Sequence, residues 1–288
     1  MRRLKKVIKF ALIVFAGFLM FLTGQTVAET IKINYEIKKF KKKSEYEKEI
    51  NIDGATIKFY KVSRETYYPN ELARDPFFDN DPLKPGAEGD IFVTRQAPIP
   101  EYPGFYEFVS FYFGGHAVYF GKNNDMYETF GFLTEGETLI GAIINGGETT
   151  YVQIEEDNYW LDSKYRREHE AAYYKFGSYY RSEWIGVRIK GITIEEIEQM
   201  TAFMDILVEK EAQYNHLYIF NTKDRYYCTD MMSRGLGTIT NSNGESKYNL
   251  NRDGIVTTVN DLILSGQAYI SFYAYLDKNN VMHVYYID

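Results

Sequence analysis

R-Y-Y-C-T-D-M-M-S-R-G-L, residues 225–236, is the stretch on which the reading of this chain turns. It reads as the end of a strand or loop turning into a short helix. Apolar residues at 227, 231, 232 and 236 give that helix one buried face, and Gly235 or Gly237 can end it. Cys228 falls in the first turn and is the only cysteine among 288 residues. A lone thiol forms no intramolecular disulfide. In a first helical turn it meets the positive end of the helix dipole, which favours the thiolate. The alternative for Cys228 is a small buried hydrophobe, and its partners have to decide between the two.

A thiol nucleophile needs a base, and the base needs an orienting group. Four histidines are available. His116 lies in G-G-H-A-V-Y-F-G (114–121), a strand bounded by glycines, where a substrate and a helix terminus can approach closely. K-N-N-D (122–125) is a turn, and M-Y-E-T-F-G (126–131) is the strand returning from it. In that hairpin Glu128 comes close to opposite His116 on the same face. A carboxylate there can fix one imidazole nitrogen and leave the other to serve Cys228. His216, twelve residues before Cys228 and flanked by Tyr214 and Tyr218, is the rival base. His169 sits in a charged stretch, and His283 reads as structural in a C-terminal strand.

The rest of the chain sorts into segregated helices and strands, which points to an α+β fold. G-D-I-F-V-T-R (89–95) is a short strand. Residues 51–62 read as a strand pair or edge ribbon, 68–86 as a loop, 96–113 as an insertion, 149–154 as a strand and 165–176 as a helix. W-I-G-V-R-I-K (184–190) alternates as a strand. Residues 193–210 are the best helix: Thr193 and Glu196 form a capping box, and Ile197, Met200, Met204 and Leu207 line one face. The tail, 268–275 and 281–287, reads as two antiparallel strands joined at D-K-N-N.

The N-terminus has a basic start, M-R-R-L-K-K-V-I-K-F (1–10), an apolar run (11–22) and small residues before Ala28. This predicts a cleaved secretory signal over 1–28, with an uncleaved membrane anchor as the second choice. The protein is therefore expected to be exported: secreted, periplasmic or attached to the cell envelope. Residues 29–50 read as a spacer, with K-K-F-K-K-K (38–43) a solvated basic patch. Without residues 1–28 the chain loses five basic residues and no acid, leaving 28 basic against 40 acidic residues and a net charge of −12. That balance argues against nucleic acid, whose binding rests on phosphate neutralisation. Membrane contact is expected only through the N-terminal segment, if it is retained. No His or Cys spacing suited to zinc and no nucleotide-binding glycine motif occurs, so no cofactor or metal is expected.

The ordered set G-D-I-F-V-T-R, G-G-H-A-V-Y-F-G, Y-E-T-F-G, W-I-G-V-R-I-K-G, the capped helix, Y-N-H-L-Y-I-F and Y-Y-C-T-D-M-M resembles the YiiX/YebB-like branch of the NlpC-type papain-like cysteine hydrolases. The resemblance runs from about residue 85 to the C-terminus, with unfamiliar stretches at 96–113 and 132–182. It implies a circularly permuted papain-like domain over 85–288, preceded by an extension over 29–84, with an antiparallel sheet or half-barrel packed on the cysteine helix. It implies Cys228 as nucleophile, His116 as base, Glu128 as third polar residue, a structural Asp90, and Tyr214 and Tyr227 beside the substrate. Thr229 and Asp230 stand where that family usually has serine and glutamate. The implied activity is a cysteine peptidase or amidase on cell-wall peptides. Two other readings are a lipid or acyl-amide hydrolase or acyltransferase using the same thiol, with F-Y-E-F-V-S-F-Y-F (105–113) shielding an acyl chain, and a non-catalytic binding protein on the same scaffold.

Overall fold

The computed structural model describes residues 2–52, 54–97, 104–112, 114–129, 131, 138, 140–141, 144, 151–162, 182–218, 224–251 and 256–288. Eleven strands and six helices among them give an α+β architecture. The helices are α1 (Arg2–Lys42), α2 (Arg64–Tyr67), α3 (Phe105–Tyr112), α4 (Ile194–Glu209), α5 (Cys228–Gly237) and α6 (Val259–Leu264). The strands are β1 (Ser44–Ile52), β2 (Ala55–Val62), β3 (Ile91–Thr94), β4 (His116–Phe120), β5 (Met126–Thr129), β6 (Val152–Glu155), β7 (Glu183–Ile189), β8 (Gln213–Tyr214), β9 (Arg225–Tyr226), β10 (Ala268–Leu276) and β11 (Val281–Ile287).

Nine strands form one sheet in the order β1-β2-β11-β10-β7-β3-β4-β5-β6, and β8 pairs with β9 separately. Within 85–288 the strands of the large sheet pair antiparallel, as expected, but the sheet as a whole is mixed because it also takes in β2 from outside that span. β2 and β11 run parallel, with Ile57 beside Met282 and Phe59 beside Val284. This pairing joins segments more than two hundred residues apart, so no local pattern announces it. The β10–β11 hairpin turns at residues 277–280 as expected, with Tyr275 opposite His283.

The two faces of the sheet carry different cores. Alternation puts Ile91, Val93, Ala117, Tyr119 and Val187 on one face, which α1, α4, α5 and α6 cover. The other face holds Phe59, Phe92, Val118, Phe120, Trp184 and Phe272, closed by Phe77, Tyr159, Trp160 and Leu161 from loops. α4 is positioned by its capping box: Glu196 N–H bonds Thr193 Oγ1 at 3.3 Å, and Thr193 N–H bonds Glu196 Oε2 at 3.1 Å. Its buried residues include Ile197, Met200, Met204 and Leu207, the face read from the sequence. α4 meets α5 closely at Gly235, where an added Cβ would lie 2.5 Å from Met200 Sδ.

The stretch expected as a spacer, 29–50, is instead the second half of α1 followed by β1. Ile33, Ile37 and Phe40 are buried in the helix-covered core. The basic patch is not simply solvated either. The Lys41 ammonium lies 4.3 Å from the Tyr275 ring centre and 4.9 Å from that of Tyr285, and Lys43 lies 4.5 Å from that of Tyr68. Of the strand pair or edge ribbon expected at 51–62, the structure has β2 and only the last two residues of β1, whose remainder lies in the stretch expected as a spacer and pairs Ile50 with Ile57. The 96–113 stretch contains α3, which its prolines and aromatics had not suggested. The helix expected at 165–176, with His169, lies outside the described residues.

Candidate active site

Cys228 is the first residue of α5 and is buried. Tyr227 precedes it in extended conformation and makes no side-chain cap hydrogen bond. The first-turn N–H groups are thus not occupied by an N-cap side chain. Met231, Met232 and Leu236 bury the helix against the sheet. That fixes which way the first turn points.

His116 opens β4. Two glycines set its position, each for a steric reason. Gly114 has a φ of +81°, and a Cβ there would fall 2.7 Å from Val259 Cβ. A Cβ on Gly115 would fall 1.8 Å from the Gln96 carbonyl oxygen. Tyr119 pairs with Tyr127 and Phe120 with Met126. Continuing that register places Glu128 beside Val118, so His116 lies on the same face one alternate position further along. The contact is diagonal, and it is made: Nε2 of His116 lies 3.0 Å from Glu128 Oε2. Both side chains are buried.

The same imidazole is hydrogen-bonded to Cys228. Nε2 is engaged by the carboxylate, and the thiol is the second partner of the same ring. By alternation His116, Val118 and Glu128 belong to the aromatic face, while Cys228 packs on the helical face with Ala117. His116 bridges the two because it is the terminal residue of its strand. Burial works against a charge on the ring. The hydrogen bonds and charges of Cys228 and Glu128 outweigh it and raise the imidazole from 6.5 to about 9.

Tyr159 completes the set. Its hydroxyl donates to Glu128 Oε2 at 2.6 Å. Two donors on one oxygen hold the carboxylate plane, and with it the imidazole. Nothing in the irregular stretch around Y-W-L (159–161) suggested this role. The contact is made by a loop crossing the aromatic face, where neither helical nor strand periodicity applies.

Tyr214, Tyr218 and Tyr227 form a wall beside the thiol. Tyr214 and Tyr218 share a hydrogen bond of 3.0 Å, and the Tyr218 and Tyr227 ring centres are 5.2 Å apart. Burial raises both the Tyr218 and the Tyr227 phenols, and the neighbouring Cys228 adds to the rise. Tyr218 is partly exposed, with a φ of +58°, and was missed as a site residue although its motif was noted. The Tyr227 hydroxyl accepts the Thr257 N–H at 2.8 Å, so it also braces the framework. His216 packs on the Tyr214 ring, with centres 4.9 Å apart.

The two departures around the cysteine have structural partners. Thr229 Oγ1 donates to the Thr257 carbonyl at 2.6 Å. Asp230 accepts from Arg234 one turn later, at 3.3 Å, and that guanidinium lies over the Tyr226 ring. Asp90 is structural: Arg188 holds it bidentately at 2.7 and 3.1 Å, and Arg74 reaches it at 3.1 Å. His283 is bonded to Tyr60 and Asp277 and stacked on Tyr275. Among the described residues no group of three His, Cys, Asp or Glu side chains is arranged to hold a metal ion.

Comparison of the chain with protein-family models, with curated proteins and with solved structures returns no match.

Proposed function

We propose that this protein is an extracytoplasmic cysteine hydrolase that cleaves amide bonds by acyl transfer to Cys228, with His116 as base and acid and Glu128 as orienting carboxylate. One observation carries the reading: a single buried imidazole joined to the chain's only thiol and to a buried carboxylate. The Cys228 thiolate attacks the carbonyl carbon and forms the C–S bond. The oxyanion is met by backbone N–H groups at the start of α5, that of Cys228 first. As the intermediate collapses the C–N bond breaks, and the His116 imidazolium passes its proton to the leaving nitrogen. Water then gives a proton to His116 and attacks the thioester. The C–S bond breaks, a carboxylic acid leaves and the thiolate returns.

Cell-wall peptides are the proposed substrates. A second reading, an acyl-amide or lipid ester with oxygen as leaving atom, is favoured by the exposed aromatic residues of α3. Phe108 and Phe111 are exposed on α3, which ends four residues before His116.

Export through the N-terminal segment is part of the proposal. The anchor reading is favoured over cleavage because Ala28 and Glu29 lie inside the continuous helix α1. Thr26 is buried, Thr23 is bonded to Tyr112, and Glu29 is bonded to Asn260. Mass spectrometry of the intact protein after incubation with wall-peptide fragments, and separately with acyl amides, tests the function. A thioester adduct on Cys228 that is absent from Cys228→Ala supports it. No adduct from either class, with full turnover by Cys228→Ala, overturns it.

A further inference from the structure

We infer that α3 is a membrane-interface helix which, together with the apolar half of α1, seats the protein on a phospholipid bilayer and holds the Cys228 site at its surface. Residues 10–28 of α1 carry no charge. As a helix they span about 28 Å, close to the ~30 Å of a bilayer's hydrocarbon core. Phe10, Leu12, Ile13, Phe15, Phe18 and Phe21 are exposed along it, so none of the described residues covers that surface. Five basic residues precede the segment, which the positive-inside tendency keeps in the cytoplasm, leaving the folded body on the far side. The other end of the segment is marked by Glu29, which accepts a hydrogen bond from Asn260 of α6 at 3.1 Å.

α3 meets α1 within the apolar segment, not beyond it. Tyr112 is hydrogen-bonded to Thr23 at 2.6 Å. Thr23 is six residues short of Glu29, or about 9 Å along the helix axis. Interfacial helices lie about 5–10 Å into the boundary between headgroups and chains. At that depth α3 presents Phe108 and Phe111, both exposed, and its sequence F-Y-E-F-V-S-F-Y has a single charge. Its occupant is thus bilayer, continuous with the bilayer around α1.

The helix is fixed to the rim of the site. Ser110 Oγ accepts the Ala97 N–H at 2.9 Å, and the Gly114 N–H bonds the Val109 carbonyl at 3.2 Å. Only Tyr112 to His116 then separates it from the imidazole, a reach of at most about 14 Å. The docking stands apart from the acyl-transfer reading. Its consequence rests on that reading: the site would take acyl groups presented at the lipid surface.

The test uses the full chain reconstituted in vesicles of phosphatidylcholine and phosphatidylglycerol with bromine on the acyl chains. Phe108→Trp and Phe111→Trp are compared with Phe18→Trp and with the parent, whose Trp160 and Trp184 are wholly buried. The indoles placed at 108, 111 and 18 should all lose emission relative to unbrominated vesicles, while the parent's emission holds. Quenching at 18 with none at 108 or 111 overturns the inference, as does no quenching at any of the three. Iodoacetamide labelling of Cys228 in the same vesicles reports the thiol chemistry separately. Loss of labelling with quenching intact would strike the catalytic reading and leave the docking standing.

Discussion

His116 and Glu128 meet diagonally across the β4–β5 hairpin, not face to face, with Nε2 3.0 Å from Oε2. The diagonal matters because it puts the histidine at the end of its strand. There the ring can hold a carboxylate on the aromatic face and a thiol on the helical face. A histidine in the strand interior would have been confined to one of them.

Glu128→Gln should keep the shape and remove the charge. It leaves the imidazolium without its buried counterion, and breaking such a pair typically costs about 3–5 kcal/mol. Denaturant unfolding should show a loss of that order, and acyl transfer per folded molecule should fall at least tenfold. A variant with parental stability and rate would show that the carboxylate does not orient the base.

Tyr159→Phe removes one of the two donors on Glu128 Oε2. A hydrogen bond to a charged group is worth about 1.5–3 kcal/mol. The expected result is a stability loss in that range and a lower kcat with KM little changed, because Tyr159 acts through Glu128 and not on substrate. An effect confined to KM would contradict this.

The raised imidazole makes stability depend on pH in a definite direction. His116 is near 6.5 unfolded and about 9 folded. The folded state binds the proton more tightly, so the stabilisation is full below pH 6.5 and lost as pH rises through 9. Wild type and His116→Gln, unfolded in denaturant at a series of pH values, should differ most below pH 6.5 and converge by about pH 9. A difference that grows over the same interval would reverse the sign and contradict the assigned charge.

Asp90→Asn should separate structure from chemistry. It leaves Arg188 and Arg74 without their shared carboxylate in the core. A loss of about 3–5 kcal/mol is expected from such a broken buried pair. Cys228 labelling of the remaining folded fraction should be unchanged, since Asp90 contacts neither the thiol nor its base.

Much of this was legible in the sequence because it is local. The K-N-N-D turn fixes which side chains of its hairpin share a face, so the His116–Glu128 pair followed from counting. α4 could be read from Thr193, Glu196 and the spacing of its apolar residues, and the tail hairpin from its own turn. Non-local contacts were not legible. Tyr159 reaches Glu128 from a loop without periodicity, and the parallel β2–β11 pairing joins distant segments. The docked half of α1 left a signal that the charged composition hid: Ile33, Ile37 and Phe40 recur at helical spacing and are all buried.

The most direct measurement is the rate at which iodoacetamide labels Cys228 in the folded protein at pH 6.5. The account predicts ready labelling of the wild type, a large drop in His116→Ala and near-parental labelling in His216→Ala, because a thiolate in that pocket depends on the imidazolium of His116. Labelling that survives His116→Ala and disappears in His216→Ala would assign the base to the other histidine, and a wild-type thiol that does not react at all would contradict the nucleophile itself.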